Sequence, residues 1–137
     1  MERTMTIVKP DAVGAGNVGN ILGRLQKEGF RILNLKWMQL TRAQAEGFYH
    51  VHRERPFFSS LVKFMTEGPV VVVALEKENA IADLRKVMGA TDPAKAEAGT
   101  IRKDFASNIE RNAIHGSDSV PSAEFELGYF FSKMELG

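Results

Sequence analysis

Residues 70–75, VVVVAL, constrain this chain more than any other stretch. The run is apolar without a break, β-branched at four positions, and too short for a buried helix. It reads as a strand in the middle of a sheet. Gly68-Pro69 punctuates its start and Asn79 opens a helix behind it, so the strands beside it must come from elsewhere in the chain. One is Thr4 to Val8, TMTIV, which stops at Lys9-Pro10-Asp11 and delivers Lys9 to the strand's C-terminal end, where its ammonium meets either a ligand or solvent. A second is Ile32 to Leu40, where Leu33, Leu35 and Trp37 alternate with Asn34, Lys36 and Met38 as in a half-buried strand. A third is the C-terminal stretch, where Leu127, Tyr129 and Phe131 alternate with Glu126, Gly128 and Phe130 after a helical turn capped by Ser122.

Helices fill the intervals. Asn17 caps one whose apolar positions Val18, Ile21, Leu22 and Leu25 are spaced for a single face, closing at Gly29. Thr41 and Gln44 form a capping box for the next, and Pro56 starts a third with Phe57, Leu61, Phe64 and Met65 on one side, the two making a hairpin. Asn79 begins a fourth through Ile81, Leu84, Val87 and Met88 to Gly89. Gly89 to Pro121 shows little periodicity, too long for an idle connection, with Thr100 capping a short turn that carries Arg102. The order predicts an α+β chain, a ferredoxin-like four-stranded antiparallel sheet with helices on one face, plus a helical hairpin and a long active-site loop. At 137 residues, 44% hydrophobic, one domain over 1–137 suffices.

The long loop holds the chemistry. His115 sits in IERNAIHGSDS, three residues after Asn112 and just before Gly116-Ser117-Asp118. Gly116 lets the backbone turn beside the ring, and Ser117 and Asp118 can bond the turn or fix a neighbouring side chain. An imidazole so presented serves as nucleophile, general base or metal ligand, or is a satisfied loop histidine. His50 and His52, two residues apart in a chain with no cysteine, do not complete a zinc site. Zero cysteine also excludes a disulfide scaffold and thiolate catalysis. With 18 basic against 17 acidic residues the chain does not coat nucleic acid by bulk charge, so any anion site is local. No segment approaches a membrane span or a signal peptide, which makes a cytoplasmic protein the expectation. Lys9, Arg85 and Arg102 are cations and Tyr49, Thr91 and Asn112 neutral donors; gathered round His115 they would bind a polyphosphate. Neither a GxxxxGK[ST] loop nor a protein-kinase glycine loop is present.

TIVKPDAV, RPFF with Tyr49 upstream, GPVV, GATDPAKAEAGTIRKDF and above all RNAIHGSDSVPSAEFE closely resemble the nucleoside diphosphate kinase family over essentially the whole chain. The resemblance implies a ping-pong transfer in which His115 takes the γ-phosphoryl group of a nucleoside triphosphate and passes it to a nucleoside diphosphate. It implies that Arg85, Thr91 and Arg102 hold phosphates, that Tyr49 lies close to the transferred group, and that Lys9 and Asn112 contact the ribose end and phosphates. Phe57 and Ile109 would clamp the base, which suggests broad base specificity, and Glu126 would accept a hydrogen bond from the unreactive ring nitrogen of His115. Mg²⁺ is implied, carried mainly by the nucleotide phosphates rather than by protein ligands. So is a homo-oligomer, a hexamer with a tetramer as the alternative, from the loop with Pro93. Gly128 and Tyr129 depart from the bulkier or differently shaped residues common in the family. A ferredoxin-like RNA-binding module would need an RNP1-like aromatic stretch that is not found here, and a nucleotide-sensing domain would leave His115 and Glu126 without a purpose.

Overall fold

A computed structural model describes all residues, Met1–Gly137. In chain order the elements are β1 (Glu2–Val8), α1 (Pro10–Gly14), α2 (Val18–Lys27), β2 (Arg31–Met38), α3 (Arg42–Phe48), a 3-10 turn at His50–His52 and α4 (Phe58–Met65). Then follow β3 (Val70–Lys77), α5 (Ala80–Met88), a 3-10 turn at Pro93–Lys95, α6 (Ile101–Phe105), β4 (Ile114–Gly116), α7 (Val120–Phe130) and α8 (Lys133–Leu136). The sheet has the order β2-β3-β1-β4, antiparallel throughout. No helix is long and apolar enough to cross a membrane.

β3 is central, and the residues from Val70 to Leu75 are 0–1% exposed. Alternate side chains enter two separate cores: Val70, Val72 and Ala74 join Met5 and Ile7 with α3, α4 and α7, while Val71, Val73 and Leu75 join Val8 with α2, α5 and α6. Helices therefore cover both faces, not the one expected. The crossover helices α2 and α5 lie on one side as in a ferredoxin-like fold, and the hairpin with α7 closes the other. The unbroken apolar run demands this, because leaving one face of it in water would forfeit about 25 cal/mol for each Å² of apolar surface.

Several expectations change. The fourth strand is not the C-terminal alternation but the three residues Ile114–Gly116, paired with β1 so that His115 lies opposite Ile7. Residues 120–130 are instead helical, capped by Ser119, whose side chain accepts from the Ser122 amide, rather than by Ser122 itself. The buried positions Ala123, Leu127 and Phe130 follow helical spacing. Aromatics at both odd and even positions had made the period-two pattern uninformative. In β2 a bulge between Ile32 and Asn34 slips the alternation, so Leu33 and Met38 pack on one core while Leu35 and Trp37 stand 42% and 61% exposed. α4 begins at Phe58 with Phe57 as its cap, two residues later than Pro56 suggested. Asn17 occupies the N-cap position of α2, but its side chain makes no capping bond.

Tyr129 packs beside Phe48, and its hydroxyl donates to the Gln44 carbonyl at 2.8 Å. The ring lies over Gly47, where any Cβ would collide with the phenol oxygen. On the other side Gly116 lets α5 approach β4, since a Cβ there would sit 2.6 Å from Met88 Sδ. The first braces Phe48, whose ring neighbours that of His115, and the second sets α5 against β4.

Candidate active site

β4 is short but held. Thr6 donates its hydroxyl to the His115 carbonyl, and the Ser117 amide donates to the Met5 carbonyl at 3.2 Å. The His115 ring consequently points to the α3 and α7 face, edge-on to Phe48 and Tyr49 at centroid distances of 5.4 and 6.3 Å. Its Nε2 lies 2.8 Å from Glu126 Oε1 on α7, and Ser117 Oγ donates to that same oxygen at 2.8 Å. A carboxylate can only accept, so Nε2 carries the proton and Nδ1 keeps a free lone pair. The hydroxyl of Ser117 and the ring together pin Glu126, and the pinned carboxylate selects the tautomer.

The cations converge from separate elements. Lys9, at the end of β1, is 7% exposed and donates from Nζ to Asn112 Oδ1 at 2.8 Å; Asn112 Nδ2 in turn donates to the Ile109 carbonyl at 2.8 Å. Burial, together with the Arg102 charge and against the pull of Asp11 and Glu110, lowers the Lys9 ammonium to about 8. Arg102, on α6, donates to the carbonyls of Gly89 at 3.1 Å and Ile114 at 2.8 Å, while its Nε is buried without a partner. Burial and then Arg85 bring this guanidinium down to about 10. Tyr49 is buried with its hydroxyl unpaired, and burial, reinforced by the Glu126 charge, pushes the phenol well above its ordinary value. Tyr49 and Arg102 thus each keep one buried donor atom without a partner, and both residues line one cavity.

That cavity, about 460 Å³, is lined by Lys9, Tyr49, Arg85, Thr91, Arg102, Asn112, His115 and Glu126, with Phe57 and Leu61 at its apolar side. An adjoining slot of about 400 Å³ is formed by Phe57, Leu61, Ile109, Glu110, Lys9 and Thr91. The arrangement is a long polar trough ending in an apolar slit. Its dimensions and donors suit a polyphosphate carrying a flat aromatic group.

Comparison with known proteins decides the family: the nucleoside diphosphate kinase model matches residues 2–136. The chain belongs to the nucleoside diphosphate kinase family. It is 60% identical over 136 residues to the nucleoside diphosphate kinase of Geotalea uraniireducens (strain Rf4), covering 99% of both proteins. It is 58% identical to that of Geobacter sulfurreducens, again covering 99% of each. Among solved structures, the nucleoside diphosphate kinase of Aquifex aeolicus superposes with a TM-score of 0.97 at 47% identity, covering 99% of both chains. That of Halobacterium salinarum, in complex with CDP, gives 0.95 at 40% identity, covering 99% of this chain and 91% of the other. This is therefore an enzyme, a kinase of nucleotides, on the ferredoxin-like fold that the element order predicts.

Within this member of the nucleoside diphosphate kinase family, every residue nominated from sequence lines the main cavity except Ile109, which is 61% exposed and faces Phe57 across the slot. Phe57, 47% exposed, is at the rim. The sequence reading missed His52, whose ring neighbours that of Phe57 at 5.5 Å, and Leu61, Phe48, Ser122 and Glu110 as lining residues. Leu61 packs on the core under the hairpin and also reaches the slot, and the signal for the second is its place one turn after Phe57. The neighbouring side chain that Ser117 fixes is Glu126.

Proposed function

We propose that this kinase moves the γ-phosphoryl group between nucleotides by a ping-pong route through a phosphohistidine on His115. One observation carries the reading: an imidazole whose Nε2 is committed to Glu126 stands among Lys9, Arg85, Arg102, Tyr49, Thr91 and Asn112 in one cavity. In the first half the Nδ1 lone pair attacks the γ-phosphorus, the bond from phosphorus to the bridging oxygen breaks, and the nucleoside diphosphate leaves with that electron pair. In the second half a terminal oxygen of another nucleoside diphosphate attacks the same phosphorus, the P–N bond breaks, and its electrons return to the ring. Glu126 holds the proton on Nε2 throughout and offsets the positive charge that the ring gains. Arg85, Arg102 and Thr91 hold phosphates, Tyr49 donates near the transferred group, and Lys9 and Asn112 bridge phosphates and ribose.

Phe57 and Ile109 hold the base between apolar surfaces. Glu110, the one charged side chain at the slot besides Lys9, already has its Oε2 bonded to Ser60 at 2.6 Å. This supports acceptance of purines and pyrimidines alike. Besides Glu126 the main cavity has one carboxylate, Asp118, held below its ordinary range chiefly by the Ser122 side chain, and no cluster of three metal-binding groups exists. That donor set fits a Mg²⁺ ion carried on phosphate oxygens, with Asp118 as the available protein anion. When bound, the ion supplies charge neutralisation at the phosphates. Exposed Leu35 and Trp37 on the edge strand β2 support association of copies, a hexamer with a tetramer as the alternative. A cytoplasmic site of action completes the reading.

The test is incubation with γ-labelled ATP followed by denaturation. An acid-labile, alkali-stable label on the wild type and none on His115→Ala is the expected result. Label retained by the variant removes His115 from the role.

A further inference from the structure

Asp11 has no part in the scheme above, yet it is tied to the least ordinary backbone in the molecule. Ala113 is fully buried and has φ of +71°, a region that residues bearing a Cβ seldom occupy. The Ile114 amide donates to the Asn112 carbonyl at 2.8 Å across it, which makes a three-residue γ-turn of the rare, strained kind. Two bonds from the end of β1 and the start of α1 bracket this turn. The Ala113 amide donates to Asp11 Oδ2 at 3.1 Å, and the Lys9 amide donates to the Ala113 carbonyl at 2.9 Å. On one side of the turn is Asn112, partner of Lys9 Nζ; two residues on the other side is His115. Strain of this sort persists only where the surroundings over-determine it.

We propose that Asp11 is a positioning residue for phosphoryl transfer: its carboxylate clamps the γ-turn at Ala113 and thereby spaces Asn112, Lys9 and His115 for one polyphosphate. The proposal rests on the phosphohistidine reading above. A second observation assigns a purpose to the charge as well as to the hydrogen bond. Asp11 Oδ1 is buried with no partner, an unfavourable state for an ionised oxygen that a neutral acceptor would largely avoid. What the charge adds is its field on the cations nearby. It favours the protonated form of Lys9, alongside Glu110 and against Arg102, and it also favours that of Arg111. The clamp and the field are thus separable by chemistry, since an amide keeps the first and loses the second.

The experiment compares wild type, Asp11→Asn and Asp11→Ala, and the double variant Asp11→Ala with Ala113→Gly. The readouts are the single-turnover rate of label transfer from γ-labelled ATP and the pH profile of kcat/KM. Asp11→Ala is expected to lose about a hundredfold in rate, the scale of a displacement near 1 Å between reacting groups. Asp11→Asn is expected to stay within roughly fivefold at pH 7, because its amide oxygen still accepts from the Ala113 amide. Its alkaline limb moves to lower pH than in the wild type, a change that a merely structural role would not produce. Glycine at 113, which adopts positive φ freely, is expected to restore about tenfold of the loss in the double variant. Asp11→Ala at the wild-type rate, or Asp11→Asn itself slowed about a hundredfold, overturns the clamp, the second deciding it even if Asp11→Ala fails to fold; Asp11→Asn with an unmoved limb overturns the role given to the charge. A wild type that takes no label on His115 overturns the phosphohistidine reading itself, and this proposal with it.

Discussion

Raising the pH should move activity and stability of this enzyme in opposite directions through Lys9. Burial lowers the folded ammonium to about 8 from an ordinary 10.5. In the free enzyme Lys9 is therefore about nine-tenths charged at pH 7 and about one-tenth at pH 9, so kcat/KM should fall roughly tenfold between them. The profile of kcat should stay flatter, because bound phosphates favour the ammonium. Stability runs the other way. Between the folded value near 8 and the unfolded value near 10.5 the unfolded chain binds more protons, so the folded state gains as pH rises through that window. The full shift is worth about 3 kcal/mol, of which about 2 is gained by pH 9.5. Lys9→Met keeps most of the stem without the charge and isolates both effects. Its kcat/KM should be low and free of the alkaline limb. The stability of wild type minus that of the variant, from urea unfolding at each pH, should rise by about 2 kcal/mol from pH 7 to 9.5. Contributions from groups that do not act on Lys9 are common to both proteins and cancel in that difference. A limb that persists in Lys9→Met, or a stability difference that falls with pH, would refute the reasoning.

Glu126→Gln keeps an acceptor for Nε2 but removes the charge, and should slow label transfer by about 10- to 100-fold with little change in KM; an unaltered rate would return Glu126 to a packing role. With one donor, ADP, GDP, CDP, UDP and their deoxy forms should all accept the phosphoryl group within about two orders of magnitude in kcat/KM, since stacking differences amount to roughly 1–3 kcal/mol. Strict dependence on a base with an exocyclic amino group would instead point to Glu110 and break the apolar-clamp assignment of Phe57 and Ile109. Light scattering at working concentration should show a hexamer, or failing that a tetramer. A fully active monomer would defeat both.

The amino-acid pattern carried some of this molecule unaided. The run Val70–Leu75 had to be central because it has no polar side to offer water, and it lies between β2 and β1. The capping box at Thr41 and the cap at Thr100 are local hydrogen-bond chemistry, and both form as written in the sequence. The residues that line the main cavity could be named as well, because NxxHGSD and the stretches upstream resemble one family, whose model matches residues 2–136.

Other features belong to tertiary structure. A three-residue strand such as Ile114–Gly116 has no periodicity to read; its existence depends on β1 more than a hundred residues away in sequence, through pairs such as Ile7 with His115. The segment from Val120 to Phe130 is apolar on both parities, so only the choice of which residues face the Phe48 cluster made it a helix. The β2 bulge that exposes Trp37 is likewise a register decision, settled by packing against β3 rather than by alternation in the strand itself. Most of the site's chemistry is of this second kind. That Nε2 rather than Nδ1 meets Glu126, that Lys9 is desolvated, and that Ala113 is held at positive φ by Asp11 all arise where distant segments meet. Sequence names such side chains, but burial and hydrogen bonding across the fold set their protonation and direction.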